Sequence, residues 1–310
     1  MRRSLRSWAL QQFKWIKGGK RSFEERSEEG YAALLESYAE SAAKDFANPE
    51  RWTGMPVRES RIDGMQVFSW NDSGDPRQRV LIYLHGGAYV SPPNKHHFKT
   101  LRRLSTALDA RVVFPLYPRA PRFSYKESFA RLDQLWRQLL EGVESAAQLS
   151  LLGDSAGGGL ALGFAMYLRD HQLPQPKDII LLSPWLDLRT DHPDIPKYVD
   201  ADPVLSVRGL RRLGLAWAGS PEAMSDPYVS PVLGDVCGLG RIGIWVGSYE
   251  IFLPDCALLH QILCEKGIEH HYEVAEKMSH VYALYPLPEA RRAQRRIVEW
   301  IAQKPKNNNE

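Results

Sequence analysis

Cysteine is scarce in this sequence: three residues in 310, Cys237, Cys256 and Cys264, with no Cys-x-x-Cys pair among them. An odd count without that spacing argues against a disulfide framework and against a zinc finger. The three are expected as small core hydrophobes in a reducing compartment, which points to the cytoplasm, with no metal site and no cofactor. Long apolar runs are also missing. No segment approaches the roughly 18 apolar residues of a membrane span, and the start lacks the unbroken apolar stretch of a secretory signal. Neither sign of charge dominates: 40 Lys and Arg against 37 Asp and Glu leave +3, too little to imply a nucleic-acid partner. There is no internal repeat, and the only low-complexity tract is Asn307-Asn308-Asn309, expected as a frayed end.

What is present suits one α/β domain with insertions. A chain this long can bury roughly three quarters of its unfolded surface and needs no staple. Short apolar runs recur at Gln66–Trp70, Val80–Leu84, Val112–Tyr117, Leu149–Leu152, Ile179–Leu182, Ile242–Val246 and His271–Val274. Helix-length segments such as Glu127–Leu140, Gly158–Arg169 and Pro254–Glu265 separate them. That alternation predicts a mainly parallel sheet covered on both faces. Residues 1–60 read as helices and turns without strand alternation, and residues 61–310 as the α/β domain that carries the sheet. About 188–226 breaks the alternation with Asp191, Pro193, Pro196, Asp202 and Pro203 and then the helix Ser206–Trp217; a long insertion of this kind is usually functional.

The first residues are basic before they are acidic: Arg2, Arg3, Arg6, Lys14, Lys17, Lys20 and Arg21 all precede Glu24. Leu5, Trp8, Ala9, Phe13 and Ile16 fall among them at helical spacing. Such a helix can lie on an anionic membrane or pack against the protein's own active site. The second is favoured, since the chain has a pocket to cover.

The chemistry-bearing motif is Gly153-Asp154-Ser155-Ala156-Gly157, after the apolar run Leu149–Leu152 and ahead of Gly158-Gly159-Leu160-Ala161. Strand, sharp turn and helix with a serine at the apex is the composition of a nucleophile elbow, in which small residues let strand and helix pack closely. The pentapeptide alone would arise by chance roughly 0.1 times in such a chain. Its context raises its weight. Upstream, Val80–Leu84 runs into His85-Gly86-Gly87-Ala88-Tyr89, where glycines leave backbone N–H groups free to face a ligand. Donors of that kind stabilise a tetrahedral oxyanion by roughly 3 kcal/mol each.

A serine nucleophile needs a base held by a carboxylate, in the chain order Ser, acid, His. Of the later histidines, His171 ends the helix that the serine opens and His192 lies in the insertion. His260 sits within a helix, and His270 and His271 begin a strand. His280 follows the last strand, in the loop that this order offers to a base. The acid belongs after the penultimate strand, where Glu250 lies nearer the strand end and Asp255 reads also as part of a helix start. Glu250 is favoured and Asp255 is kept as the alternative. Tyr89, Trp185 and the aromatics Trp8, Phe13, Trp15 and Trp217 are candidates for an apolar pocket.

Together these segments resemble the hormone-sensitive-lipase-like esterases of the α/β-hydrolase superfamily. The resemblance rests on His85-Gly86-Gly87-Ala88, Gly153–Gly158, Ser183-Pro184-Trp185-Leu186-Asp187-Leu188, Gly247-Ser248-Tyr249-Glu250 with Asp255, and Ser279-His280. It covers about residues 79–303. It implies an α/β-hydrolase fold with a helical cap, built from the N-terminal segment and an insertion after the fold's sixth strand. It also implies Ser155 as nucleophile, His280 as base, Glu250 as acid, and the N–H groups of Gly86, Gly87 and Ala156 as the oxyanion hole. Asp154 and His85 would organise the loops. Two departures stand out: Ala88 replaces the last glycine of His-Gly-Gly-Gly, and Arg122 stands where the family carries an acid.

The expected activity is hydrolysis of short- to medium-chain acyl esters through an acyl-enzyme, with a small-molecule ester as partner. Since the base works when neutral, activity should fall in acid. An amidase or lactonase on the same scaffold, and a non-catalytic ligand-binding relative, are the competing readings. Docking on a membrane and pairing into a homodimer stay open.

Overall fold

A computed structural model describes residues 3–16 and 27–303 of the protein. Arg2, Lys17, Lys20, Arg21, the side chains of Trp15 and Ile16, and Asn307–Asn309 lie outside the described residues. In chain order the elements are helices α1 (Leu5–Ile16), α2 (Glu28–Ala42) and α3 (Glu50–Thr53), then strands β1 (Arg58–Ile62), β2 (Met65–Trp70) and β3 (Val80–Leu84). Next come α4 (Lys95–Leu108), β4 (Arg111–Pro115), α5 (Tyr125–Glu141), β5 (Leu149–Asp154), α6 (Ala156–Asp170) and β6 (Asp178–Leu182). The chain ends with α7 (Val207–Ala218), β7 (Arg241–Tyr249), α8 (Leu253–Glu265), β8 (His270–Ser279) and α9 (Pro288–Ala302).

The strands form one sheet in the order β1-β2-β4-β3-β5-β6-β7-β8. β1, β2 and β4 pair antiparallel, and every pairing from β4 through β8 is parallel. This is the mainly parallel sheet that the strand–helix alternation predicted. The alternation of side chains along each strand explains how it is covered. Val80, Ile82 and Leu84 face one way into a core with Leu132 of α5, Leu160 of α6 and Leu259 of α8. Leu81 and Tyr83 face the other, against Phe98 and Leu101 of α4 and Ile297 of α9. Because both faces are buried, the central strands read as continuous apolar runs.

Two expectations need correction. β1 was not anticipated, because Arg58-Glu59-Ser60-Arg61 is exposed and only Ile62 is buried. A charged edge strand carries no apolar alternation and blunts unwanted pairing. Of the three cysteines, only Cys256 is a core residue; Cys237 and Cys264 are exposed. No helix among the described residues is long and apolar enough to cross a membrane.

Parallel pairing carries the sheet's functional consequence. It brings the ends of β3, β5, β6, β7 and β8 to one edge, so the loops opening at His85, Ser155, Ser183, Glu250 and His280 converge. Crevices at this edge are where open α/β sheets bind ligands.

Candidate active site

Ser155 links β5 to α6 with φ 53° and ψ −122°. A non-glycine residue in such a conformation stores about 1–3 kcal/mol of strain, and the surroundings must hold it. They do so through the backbone: Ser155 donates its N–H to Leu182 O at 2.9 Å, and Trp185 N–H donates to Ser155 O at 2.9 Å. Close packing of strand and helix explains the flanking glycines. A Cβ on Gly157 would lie 2.0 Å from Leu84 O, and one on Gly153 would lie 2.1 Å from Gly157 O. Gly157→Ala is therefore expected to cost about 3 kcal/mol or more, seen as a lower urea midpoint at unchanged slope.

The serine is the first member of a hydrogen-bonded row. Its Oγ lies 2.9 Å from His280 Nε2, and His280 Nδ1 lies 2.7 Å from Glu250 Oε2. All three are buried; Ser155, at 7% exposure, keeps a narrow opening to solvent. Since a carboxylate only accepts, Nδ1 carries the proton and Nε2 presents its lone pair to the serine. The other carboxylate oxygen, Glu250 Oε1, accepts from Gly247 N–H at 2.5 Å and from Ser183 Oγ at 2.8 Å. Ser183 in turn accepts from Val281 N–H at 3.0 Å, so one hydroxyl ties the acid's loop to the histidine's. Asp202, from the insertion after β6, grips the same loop: its Oδ2 accepts from Ile251 N–H at 3.0 Å. Its Oδ1 accepts from Val204 and Leu205 N–H.

Asp255, the alternative acid, does not reach the histidine. It is buried in the first turn of α8, and its Oδ2 has no hydrogen-bond partner among the described residues. Burial first, then the nearby carboxylates of Asp187 and Asp191, push its pKa up to about 7 against the pull of Arg189.

Asp154 organises the neighbouring loop. Its Oδ1 accepts from Tyr83 OH at 2.7 Å and from Gly86 N–H at 2.8 Å. His97 accepts Asn94 N–H on Nδ1, which leaves Nε2–H to face the Asp154 carboxylate, 3.3 Å from Oδ1. Burial alone would raise the Asp154 pKa, but His97, Tyr83 and Gly86 outweigh it and hold the carboxyl below its usual range. His85 is buried, donates Nδ1–H to Gly86 O at 2.8 Å and stacks on Tyr117. Burial, with His97 beside it, lowers its pKa to about 3, so it stays neutral.

These contacts revise the expected donor set. Gly86, read as an oxyanion donor, has already given its N–H to Asp154. The N–H groups of Gly87, Ala88 and Ala156 form no hydrogen bond among the described residues. Ala88 holds φ 52°, an uncommon value for a residue with a Cβ.

Of the aromatic residues read as pocket lining, Tyr89, Trp185 and Trp217 pack against one another. Tyr89 stacks on Trp217 of α7 at 4.4 Å between centroids, and Trp185 packs between Tyr89 and Phe252. Trp185 is wholly buried, with its Nε1–H given to Asp187 O, so neither it nor Tyr89 presents surface to a ligand. Phe252 meets the His280 ring edge-on at 5.3 Å. In the altered loop, Arg119 donates to Val90 O and to Ser41 O, while Arg122 lies over Phe123.

The N-terminal elements reach this edge with their polar faces. On α1, Lys14 Nζ donates to Ser279 Oγ at 3.2 Å, and Ser7 and Gln11 are buried. The apolar residues Leu5, Trp8 and Phe13 face solvent rather than the site. Tyr31 of α2 donates to Arg212 O of α7, so the N-terminal segment and the insertion meet.

Comparison with known proteins agrees with this architecture. Residues 81–284 match a family model described as alpha/beta hydrolase fold. The chain belongs to that family. An acetyl-hydrolase of Streptomyces hygroscopicus is 33% identical over 244 residues, 77% of this chain and 81% of its own. An esterase of Acinetobacter venetianus is 26% identical over 247 residues, 79% of this chain and 80% of its own. Among solved structures, an esterase/lipase from an uncultured bacterium is 25% identical with a TM-score of 0.80, over 96% of this chain and 98% of that one. An esterase from the bacterial hormone-sensitive lipase family shares the fold, with 23% identity and a TM-score of 0.80 over 97% of this chain and 98% of that one. This alpha/beta hydrolase is accordingly a carboxylic ester hydrolase.

Sequence reasoning missed His97, Ser183 and Asp202. Ser183 lay inside the quoted Ser-Pro-Trp segment but had no role there. Asn94 three residues before His97 was a readable helix-start signal, and Asp202 carried none.

Proposed function

We propose that the protein is a serine carboxylesterase for short- to medium-chain acyl esters, in which Ser155 attacks, His280 is the base and Glu250 orients it. The observation that carries this reading is the row from Ser155 Oγ to His280 Nε2 at 2.9 Å and from His280 Nδ1 to Glu250 Oε2 at 2.7 Å. His280 takes the hydroxyl proton as Oγ bonds to the ester carbonyl carbon. The oxyanion is met by the N–H groups of Gly87, Ala88 and Ala156, the last at the positive N-terminus of α6. Collapse expels the alcohol, which takes the proton from His280 and leaves the acyl group on Ser155. Water, deprotonated by the same histidine, then releases the acid.

The cap is read as the N-terminal segment together with the insertion after β6, joined through Tyr31 and Arg212. The stacked Tyr89, Trp217 and Trp185 fill the space beneath it, which favours small acyl groups. With p-nitrophenyl esters from acetate to palmitate, kcat/KM is expected to peak at or below about eight carbons and to fall at least tenfold by palmitate. One lost methylene contact in an apolar pocket is worth about 1–3 kcal/mol, so a chain that does not fit is penalised steeply. p-Nitroacetanilide run in parallel decides the amidase reading: turnover equal to that of the acetate ester would replace the esterase assignment.

A further inference from the structure

Far from the active-site edge, three potential metal ligands converge. His260 and Cys264 are four residues apart on α8, so they share one face of the helix. His270 opens β8. His260 Nδ1 lies 2.8 Å from His270 Nε2, and Cys264 Sγ lies 3.7 Å from each of those nitrogens. These three residues are the group of potential ligands found among the described residues with their ligand atoms within 4.8 Å of one another.

We propose that His260, Cys264 and His270 form a binding site for a borderline-soft divalent cation of the zinc type, clipping the end of α8 to the start of β8. Thiolate plus imidazole is the donor set such ions prefer over magnesium or calcium. The spacing fits the ion. With Zn–S near 2.3 Å and Zn–N near 2.05 Å, a tetrahedral centre needs S···N of about 3.6 Å and N···N of about 3.3 Å. The two sulfur–nitrogen distances already match, and the nitrogens need to separate by about 0.5 Å.

The surroundings also suit a metal. His270 Nδ1 lies 2.7 Å from Ile268 O, and a carbonyl only accepts, so this nitrogen carries the proton. The Nε2 lone pair is thereby aimed at the cluster, by the carbonyl-to-imidazole arrangement that orients metal-bound histidines. The His260 ring is fixed by stacking on Tyr272 at 4.4 Å. Binding forms two Zn–N bonds and one Zn–S bond, moves the His260 proton to Nε2 and releases the Cys264 thiol proton to solvent. Cys264 is exposed, so water can enter and complete the coordination.

The site does not serve the hydrolytic chemistry. At about 3.3 Å per residue, the ten residues of β8 put His270 roughly 30 Å from His280. The ion would instead tie α8, which follows Glu250, to β8, which precedes His280. The missing Cys-x-x-Cys hid the site, because its ligands come from a helix end and a strand start.

Cobalt(II) added to the full chain, after treatment with a chelator and dialysis, tests the proposal. One cobalt per chain is expected, with a thiolate-to-cobalt charge-transfer band in the near ultraviolet and intense visible bands of a tetrahedral ion. Cys264→Ser should remove the charge-transfer band, His270→Gln, which removes a direct ligand, should weaken binding by more than about 100-fold, beyond the loss from an outer-shell change, and Cys237→Ser should change neither. Zinc(II) should displace the cobalt and raise Tm of the wild type but not of Cys264→Ser. Hydrolysis of p-nitrophenyl acetate, assayed in the same samples, is expected to be unaltered, which separates this test from that of the esterase reading. Absence of the band, its survival in Cys264→Ser or its loss in Cys237→Ser would overturn the site.

Discussion

Ser155→Ala is expected to lower kcat/KM for p-nitrophenyl acetate by about 10⁵- to 10⁶-fold, a loss of roughly 7–8 kcal/mol of transition-state stabilisation. His280→Ala should cost nearly as much, and the double variant no more than either. The reason lies in the row itself. On the proposed mechanism, Ser155 Oγ becomes a nucleophile only by giving its proton to the His280 nitrogen 2.9 Å away, so removing either partner should remove the whole function. What survives should be the contribution of the free N–H groups at Gly87, Ala88 and Ala156. Ser155→Ala keeps a Cβ at the elbow and introduces no clash, so circular dichroism and the urea midpoint should match the wild type. A folded Ser155→Ala protein retaining more than about one hundredth of the activity would overturn the assignment of Ser155.

How far the sequence could be read followed from the range of each interaction. β3 and β5–β7 were legible because burial on both faces writes an unbroken apolar run. Ser155 was legible because the elbow's crowding demands glycine at 153 and 157. His280 was singled out by chain order, by its loop position after the last strand and by the family resemblance. Side chains whose partners come from elsewhere in the fold were not legible. His97 matters because α4 carries it to Asp154, and Ser183 because its hydroxyl lies between Glu250 and Val281 N–H. The N–H groups proposed as oxyanion donors show the same limit at finer scale. A glycine run announces free N–H groups, but which of them is free depends on where Asp154 reaches, and it reaches Gly86. The Cys264 cluster exists only once the end of α8 meets the start of β8.

The two carboxylates after β7 should separate cleanly by substitution. Glu250→Gln is expected to lower kcat by about 10⁴-fold with little change in stability. Oε1 already accepts from Gly247 N–H and Ser183 Oγ, so the glutamine carbonyl must occupy that side. Its amide NH₂ then faces His280 Nδ1 and forces the proton onto Nε2, the atom that has to accept from Ser155. Asp255→Asn should leave kcat within about threefold, because nothing joins Asp255 to His280. Its effect should appear in stability, with a sign fixed by proton linkage. The folded pKa of about 7 lies above that of an unfolded carboxyl, so between about pH 4 and 7 the folded chain holds a proton that the unfolded chain has lost. That contribution is complete below about pH 4 and is lost as pH rises through 7. At pH 8 the wild type must bury a charge beside Asp187 and Asp191, while the asparagine variant buries none. Asp255→Asn is therefore expected to be more stable by on the order of 2–4 kcal/mol at pH 8 and nearly unchanged at pH 4, measured by urea unfolding at both. Equal stability of the two proteins at pH 8 would show that Asp255 ionises in the fold without penalty; loss of activity in Asp255→Asn with retention in Glu250→Gln would exchange their roles.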